Sequence, residues 1–101
     1  MPTEPLSPKE TEDRLGELPG WSLEGDRIAR TYRLANHFAA TAMVVHIAQI
    51  QEELGHHSDL TLGYNIVALR VHTHDAGGAV TGKDFALARR VEEIAPGHGA
   101  S

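Results

Sequence analysis

The chain has 101 residues, of which 41% are hydrophobic and 23% charged, a balance that fits one small globular domain and argues against disorder. Its formal net charge of −5 disfavours a nucleic-acid-binding protein, because such proteins usually present a basic surface. Cysteine is absent, which excludes disulfides and thiolate metal sites and fits a reducing, cytoplasmic setting. We expect neither a membrane span nor a signal peptide, because no apolar run is long enough and the chain begins with polar residues and prolines.

The first predicted element is a helix that begins after Ser7 and ends near Leu18, where a proline-glycine pair stops it. Ser7 can accept the free amide of Glu10, and the Glu10 side chain can reach back to the amide of Ser7. Pro8 suits the first helical position, where a backbone N–H is not needed. Residues 1–6, before this helix, are expected to form a loose tail.

A β-hairpin is predicted after the first helix. A short strand around Leu23 and a longer strand over Arg27–Leu34 flank a glycine-aspartate pair at positions 25 and 26, which favours a tight turn. Arg30 interrupts the apolar face of the longer strand, which otherwise consists of Ile28, Tyr32 and Leu34.

The longest predicted element is a helix over His37–Leu54, with Asn36 as its N-cap and Gly55 as a left-handed C-cap. Its apolar residues have near-helical spacing and cover much of the circumference: Phe38, Ala42, Val45, Ile47, Ile50 and Leu54. Such a helix can pack on a sheet with one side and meet a partner subunit with the other, so the pattern predicts a homo-oligomer.

A second pair of strands is predicted over Leu60–Tyr64 and Ile66–His74, with a turn around Tyr64-Asn65. Side chains alternate along a strand, so one face of the longer strand should enter the core, with Val67, Leu69, Val71 and Thr73. The opposite face should be wetter, with Ile66, Ala68, Arg70, His72 and His74. His72 is therefore expected outside the core and beside His74.

A capping box of Thr81 and Asp84 predicts a last helix that runs to about Ile94. Residues 96–101 contain a proline and two glycines and are expected to form a second loose tail. The predicted order is α-β-β-α-β-β-α, within a single domain of residues 1–101. Paired strands joined by tight turns indicate an α+β fold, in which a four-stranded antiparallel sheet has its helices packed on one face.

Histidines and carboxylates gather in the second half of the sequence. His56 and His57 follow the long helix, His74 ends a predicted strand, and Asp84 opens the last helix. Imidazole changes its charge near neutral pH and can donate or accept a proton, so this set predicts an acid–base site. Glu52, one helical turn before His56, can orient an imidazole.

Simpler interpretations stay open at this point. His56 and His57 can be solvated loop residues, Glu52 an ordinary helix carboxylate, and Asp84 only a helix-entry residue. A zinc site of three histidines is a further interpretation, but the spacing is not a standard metal signature. We therefore expect no metal.

Taken together, these residues resemble the motif of the pterin-4a-carbinolamine dehydratases. That motif is an acidic residue, three residues, His-His, usually Pro, then Thr-His at a strand end and an Asp that opens the last helix. The corresponding residues here are Glu52, His56, His57, Thr73, His74 and Asp84. The resemblance extends over roughly Pro5 to Ala95. Ser58 stands where proline is usual, and Leu60 stands where an aromatic residue often lines the pocket.

The resemblance implies a homodimer or homotetramer that dehydrates 4a-hydroxytetrahydropterin to quinonoid dihydropterin, as in pterin recycling, without a metal or organic cofactor. It implies that His56 and His74 transfer protons, that His57 mainly holds the substrate, and that Glu52 and Asp84 orient the histidines. The substrate-binding positions, largely through backbone groups, would be His56, His57, Ser58, Thr73, His74, Asp75 and Ala76. An alternative hypothesis is a dehydratase-like binding, assembly or coactivator protein that keeps the fold without efficient catalysis.

Overall fold

The computed structural model describes residues 4–101, so the first three residues of the expected N-terminal tail lie outside the described residues. Three α-helices and four strands follow one another in this part of the chain in the predicted order α-β-β-α-β-β-α. They are α1 (Pro8–Leu15), β1 (Ser22–Glu24), β2 (Arg27–Arg33), α2 (His37–Leu54), β3 (Asp59–Leu62), β4 (Ile66–Val71) and α3 (Gly82–Ile94).

The four strands form one antiparallel sheet in the order β1-β2-β4-β3. β1 and β2 make the predicted hairpin, in which Glu24 pairs with Arg27 across a two-residue turn. Gly25 begins that turn with φ +63°, a conformation that glycine adopts without strain. β2 and β4 form the central pair, with Ile28 opposite Val71. The predicted α+β class and antiparallel sheet are confirmed.

The face of the sheet that meets the helices is the one predicted from β4. Val67, Leu69 and Val71 are at most 1% exposed, whereas Arg70 on the other face is exposed. The core fills the space between this face and the two long helices, with its largest members Tyr32, Phe85, Ile28, Met43, Ile47, Ile50, Leu69 and Leu87. The alternation of buried and exposed side chains along β4 therefore agrees with the register predicted from the sequence.

α1 ends at Leu15, before the predicted end near Leu18, but the other helix ends follow the predicted signals. The Ser7 hydroxyl accepts the Glu10 amide and the Glu10 carboxylate accepts the Ser7 amide, which completes the capping box of α1. The Asn36 side chain accepts the Ala39 amide at 2.8 Å and so caps α2, and Gly55 ends that helix with φ +63°. Each cap satisfies backbone groups that a helix end leaves free.

α2 divides its apolar residues between two faces. Ala40, Met43, Ile47 and Ile50 are buried against the sheet and α3. Phe38 and Val45 are 84% and 65% exposed, on the side of the helix that faces away from the core. The helix is apolar around most of its circumference, but the rest of the described chain covers only one side. No helix in the described part of the chain is long and apolar enough to cross a membrane.

Arg30 lies on the core face of β2 because a carboxylate meets it there. The Glu92 Oε1 atom lies 3.5 Å from Arg30 Nε and accepts hydrogen bonds from Trp21 Nε1 at 2.8 Å and from the Tyr32 hydroxyl at 2.5 Å. The guanidinium also stacks 4.2 Å from the Tyr32 ring centroid. Burial, and then the hydrogen bond to Glu92, raises the pKa of Tyr32. Arg30, which interrupts the apolar face of β2, therefore belongs to a partly buried ion pair with Glu92.

Both chain ends are packed where the structure describes them, which differs from the expected loose tails. The Leu6 amide donates to the Val80 carbonyl at 2.9 Å. At the other end, the His98 ring lies 2.8 Å from the His46 ring of α2, and burial, together with His46, lowers the pKa of His98. The Ser101 amide donates to the last carbonyl of β2 at 3.0 Å. Composition marked these segments as turn-rich, but backbone hydrogen bonds hold them on the core.

The carboxylate shared by Trp21, Arg30 and Tyr32 predicts a specific loss of stability. Glu92→Ala should lower the free energy of unfolding by about 2–3 kcal/mol, because it leaves the donors of Trp21 and Tyr32 without their acceptor and removes the counter-ion of Arg30. Urea denaturation measures this change. Glu93→Ala is the control, since that neighbouring side chain is exposed, and it should change the free energy by less than about 0.5 kcal/mol. Equal effects of the two substitutions would contradict the assignment.

Candidate active site

A cavity of about 230 Å³ lies where α2 ends, β4 ends and α3 begins. Its wall consists mainly of residues that can carry a positive charge: Gly55, His56, His57, His72, His74 and Lys83. The left-handed Gly55 cap stops α2 and turns the chain so that the two adjacent histidines face the cavity. The fold therefore brings together the three histidines that the sequence proposed as a site.

His56 is held by a fully buried carboxylate. Its Nε2 atom lies 2.6 Å from Asp84 Oδ1, and the two side chains are 11% and 0% exposed. The second oxygen, Asp84 Oδ2, accepts the Thr73 hydroxyl at 3.0 Å and the Thr81 amide at 2.8 Å. An ionised carboxylate can only accept, so the proton on this side of the ring is assigned to Nε2. Asp84 thereby fixes the orientation of His56 while it also caps α3.

His57 has a different environment. Its Nε2 atom lies 2.9 Å from Glu52 Oε2, and the two side chains are 63% and 77% exposed. The sequence placed Glu52 one turn before His56, but in the structure its partner is the next histidine. An exposed pair of this kind is worth at most about 1 kcal/mol, so it restrains His57 only weakly.

His72 and His74 also line the cavity. β4 ends at Val71, earlier than the predicted His74, because the Thr73 amide pairs with the Ala79 carbonyl at 2.9 Å. His74 then begins a short 3-10 turn and is exposed. His72 is half-buried beside the cavity and outside the core, as the alternation predicts. Its Nδ1 atom is buried and has no hydrogen-bond partner among the described residues.

The other candidate substrate-binding positions use their hydrogen-bond donors within the protein. The Ser58 amide and hydroxyl both donate to Gln51 Oε1, at 3.0 Å and 2.5 Å. The Thr73 hydroxyl is engaged by Asp84, and the Ala76 amide donates to the Thr73 carbonyl at 3.1 Å. These residues brace the wall of the cavity. The candidate Asp75 has a side chain outside the described set.

Two residues of the site were not predicted from the sequence. Lys83 lines the cavity from the first turn of α3, next to the predicted site residue Asp84. Gln51 is buried at 5% exposure although it is polar. It follows Ile47 by four positions on the buried face of α2, and a polar residue on an apolar helix face is the signal that could have found it.

Within the described part of the chain, no three histidine, aspartate or glutamate side chains converge on a point where a metal ion could bind. His56 and His57 each direct a ring nitrogen to a carboxylate of their own. The arrangement is therefore suited to proton transfer, in which a carboxylate orients an imidazole and the other ring nitrogen exchanges the proton. The absence of a metal stays a prediction.

The fold and the cavity define a small α+β protein with a histidine-rich site between two helices and the end of a sheet. The family profile of the Pterin 4 alpha carbinolamine dehydratases matches residues 4–94. The chain therefore belongs to the pterin-4a-carbinolamine dehydratase family, which confirms the resemblance read from its motif.

Similar proteins agree with this assignment. The chain is 76% identical over 101 residues to a Streptomyces avermitilis protein named "Putative pterin-4-alpha-carbinolamine dehydratase", with both chains covered completely. A protein of the same name from Streptomyces coelicolor is 72% identical over 100 residues, which cover 99% of each chain. A crystal structure from Brucella melitensis, described as a transcriptional coactivator/pterin dehydratase, has a TM-score of 0.83 at 28% identity and covers 89% of this chain and 97% of its own.

The two histidine–carboxylate pairs should differ in their effect on stability. Asp84→Asn should lower the free energy of unfolding by about 1–3 kcal/mol, because one amide cannot accept all the hydrogen bonds that the buried carboxylate accepts. Glu52→Gln, the matched control at the exposed pair, should change it by less than about 0.5 kcal/mol. Thermal or urea denaturation measures both. A larger loss from Glu52→Gln would contradict the ranking of the two pairs.

Proposed function

We propose that the protein is a hydro-lyase that converts 4a-hydroxytetrahydropterin to quinonoid dihydropterin and water, in pterin recycling in the cytoplasm. One observation supports this proposal above the others: His56, hydrogen-bonded to the fully buried Asp84, and His74 line the same cavity. Two imidazoles on one small cavity match a reaction that needs one proton donated and one removed. Membership of the family gives independent support.

The reaction is balanced by two proton transfers. The bond between C4a and the hydroxyl oxygen breaks, and that oxygen leaves as water after it receives a proton from a general acid. The N5–H proton goes to a general base, and its electron pair forms the C4a=N5 double bond. Protonation of the hydroxyl oxygen and removal of the proton from N5 require two groups whose pKa values suit neutral pH. Histidine is the side chain with such a pKa.

The environments of the histidines suggest their roles. His56 is the better oriented proton carrier, because Asp84 holds its Nε2 and leaves its Nδ1 to exchange a proton. His74 is exposed and lines the same cavity, and it is the second proton carrier. His57, held loosely by Glu52, mainly contacts the substrate.

Backbone amides would hold the pterin ring. Among the described residues, the amides of His57 and His74 have no protein acceptor, whereas those of Ser58, Thr73 and Ala76 do. The amides of His57 and His74 are therefore assigned the contacts with the substrate that the resemblance implies for this segment. The cavity is smaller than the roughly 300–1,000 Å³ of sites for drug-sized ligands, which suits a bicyclic ring. The mechanism uses no metal and no organic cofactor.

The assignment predicts that His56→Ala and His74→Ala each slow dehydration about 100- to 10,000-fold, the usual contribution of general acid–base catalysis. The assay follows chemically generated 4a-hydroxytetrahydropterin, with and without a chelator, which should have no effect. His46→Ala is the control, because that histidine lies on α2 against His98, outside the cavity wall. Wild-type rates in both cavity variants would refute the roles. A wild-type protein without turnover would instead favour the binding or coactivator hypothesis.

The exposed side of α2 supports the expectation of a homodimer or homotetramer. Phe38 and Val45 lie seven residues apart on that helix, so they share a face two turns long. A second copy of the same helix offers the same apolar face and can cover it, which is the symmetry that a two-fold interface requires.

This interface predicts that Val45→Glu shifts the protein towards the monomer at micromolar concentration, because it places a charge in an apolar contact. Sedimentation velocity measures the shift. Ala86→Glu, on the exposed side of α3, is the control and should leave the assembly unchanged. A monomeric wild-type protein under these conditions would contradict the expectation of an oligomer.

A further inference from the structure

Gln51 holds the histidine loop at two points. Its backbone carbonyl accepts the His56 amide at 3.1 Å, as the last turn of α2 closes. Its side-chain Oε1 accepts the Ser58 amide at 3.0 Å and the Ser58 hydroxyl at 2.5 Å. His57 lies between these anchors, and the first anchor is on His56 itself. One residue therefore fixes both ends of the segment that carries two cavity histidines.

The side-chain contact has a defined direction and a protected environment. A backbone N–H can only donate, so the atom of Gln51 that faces Ser58 must be the amide oxygen. Gln51 is 5% exposed, so water does not readily replace it as the acceptor. An amide that loses its acceptor at such a place is left unsatisfied, and the loop would move to give it a new partner.

We infer that Gln51 is a positioning residue for the proposed dehydration, which holds His56 and His57 at the cavity through Ser58. The motif that the chain resembles has proline at this position, which restricts the backbone and has no N–H to satisfy. In this chain the residue at that position is Ser58, whose φ angle is not fixed by a ring and whose N–H needs an acceptor. The hydrogen bonds from Gln51 supply the restraint that the ring of proline would otherwise give.

The inference rests on the proposed function for its catalytic readout. Gln51→Met keeps the approximate length and volume of the buried side chain and removes the acceptor. It should lower kcat about 10- to 100-fold with a smaller change in KM, because a misplaced catalytic group costs rate more than binding. Gln51→Glu keeps a carbonyl-type oxygen at the same reach and should stay within a few-fold of the wild type. Gln49→Met, an exposed glutamine on the same helix, is the control and should have the wild-type kcat.

A compensating variant separates loop positioning from a general loss of stability. Gln51→Met combined with Ser58→Pro removes both the acceptor and the N–H that needs it, so it should recover most of the kcat lost in the single variant. A wild-type kcat in Gln51→Met, or a double variant no faster than the single one, would overturn the inference.

A measurement that does not depend on turnover tests the positioning role of Gln51 separately from the proposed dehydratase activity. In protein labelled with ¹⁵N-histidine, the Nε2–H resonance of His56, bonded to Asp84, should shift or broaden in Gln51→Met and stay unchanged in Gln49→Met. An unchanged resonance in Gln51→Met would overturn the positioning role whether or not the protein is a dehydratase. If Gln51→Met does not fold, Ser58→Ala, which removes the hydroxyl contact alone, should shift the same resonance, and no shift would overturn the inference.

Discussion

The structure depends on one buried carboxylate. Asp84 is fully buried, and its two oxygens join three parts of the chain: Thr73 beyond β4, Thr81 at the start of α3, and His56 beyond α2. Burial of a carboxylate away from water is unfavourable unless its oxygens accept hydrogen bonds, and here both oxygens of Asp84 accept them. The same hydrogen bonds therefore cap a helix, tie the end of the sheet to that helix and orient an imidazole. The cavity exists where these three elements meet.

The site also separates two adjacent histidines by their surroundings. His56 is held at 2.6 Å by a carboxylate with no exposure, whereas His57 is paired at 2.9 Å with one that is largely in water. Neighbouring residues of the same type can take different roles when their environments differ in this way. The buried, restrained ring is suited to proton transfer, and the exposed ring is suited to contact with a ligand. The Gly55 cap makes this division possible, since it sends the chain out of α2 and across the start of α3.

Local chemistry explains which parts of the fold could be predicted. Capping residues such as Ser7 and Asn36 and the alternation along β4 act within a few residues, so their effects are visible in the sequence. The partner of Arg30 is 62 positions away, and the contacts that hold the C-terminal segment are also distant, so composition alone suggested an interruption and a loose tail. The site was predictable as a set of residues from the motif. The pairing of Glu52 with His57 was not predictable, because helix geometry allows Glu52 to reach either His56 or His57.

The central claim is that the cavity between α2, β4 and α3 binds a pterin ring through its histidines. A crystal structure of the protein with a stable 7,8-dihydropterin tests it most directly. We expect the ring in this cavity, with a ring atom within about 3.2 Å of an imidazole nitrogen of His56 or His74 and of the His57 or His74 amide. A pterin bound elsewhere, or a cavity without it at a concentration that saturates binding in solution, would contradict the account.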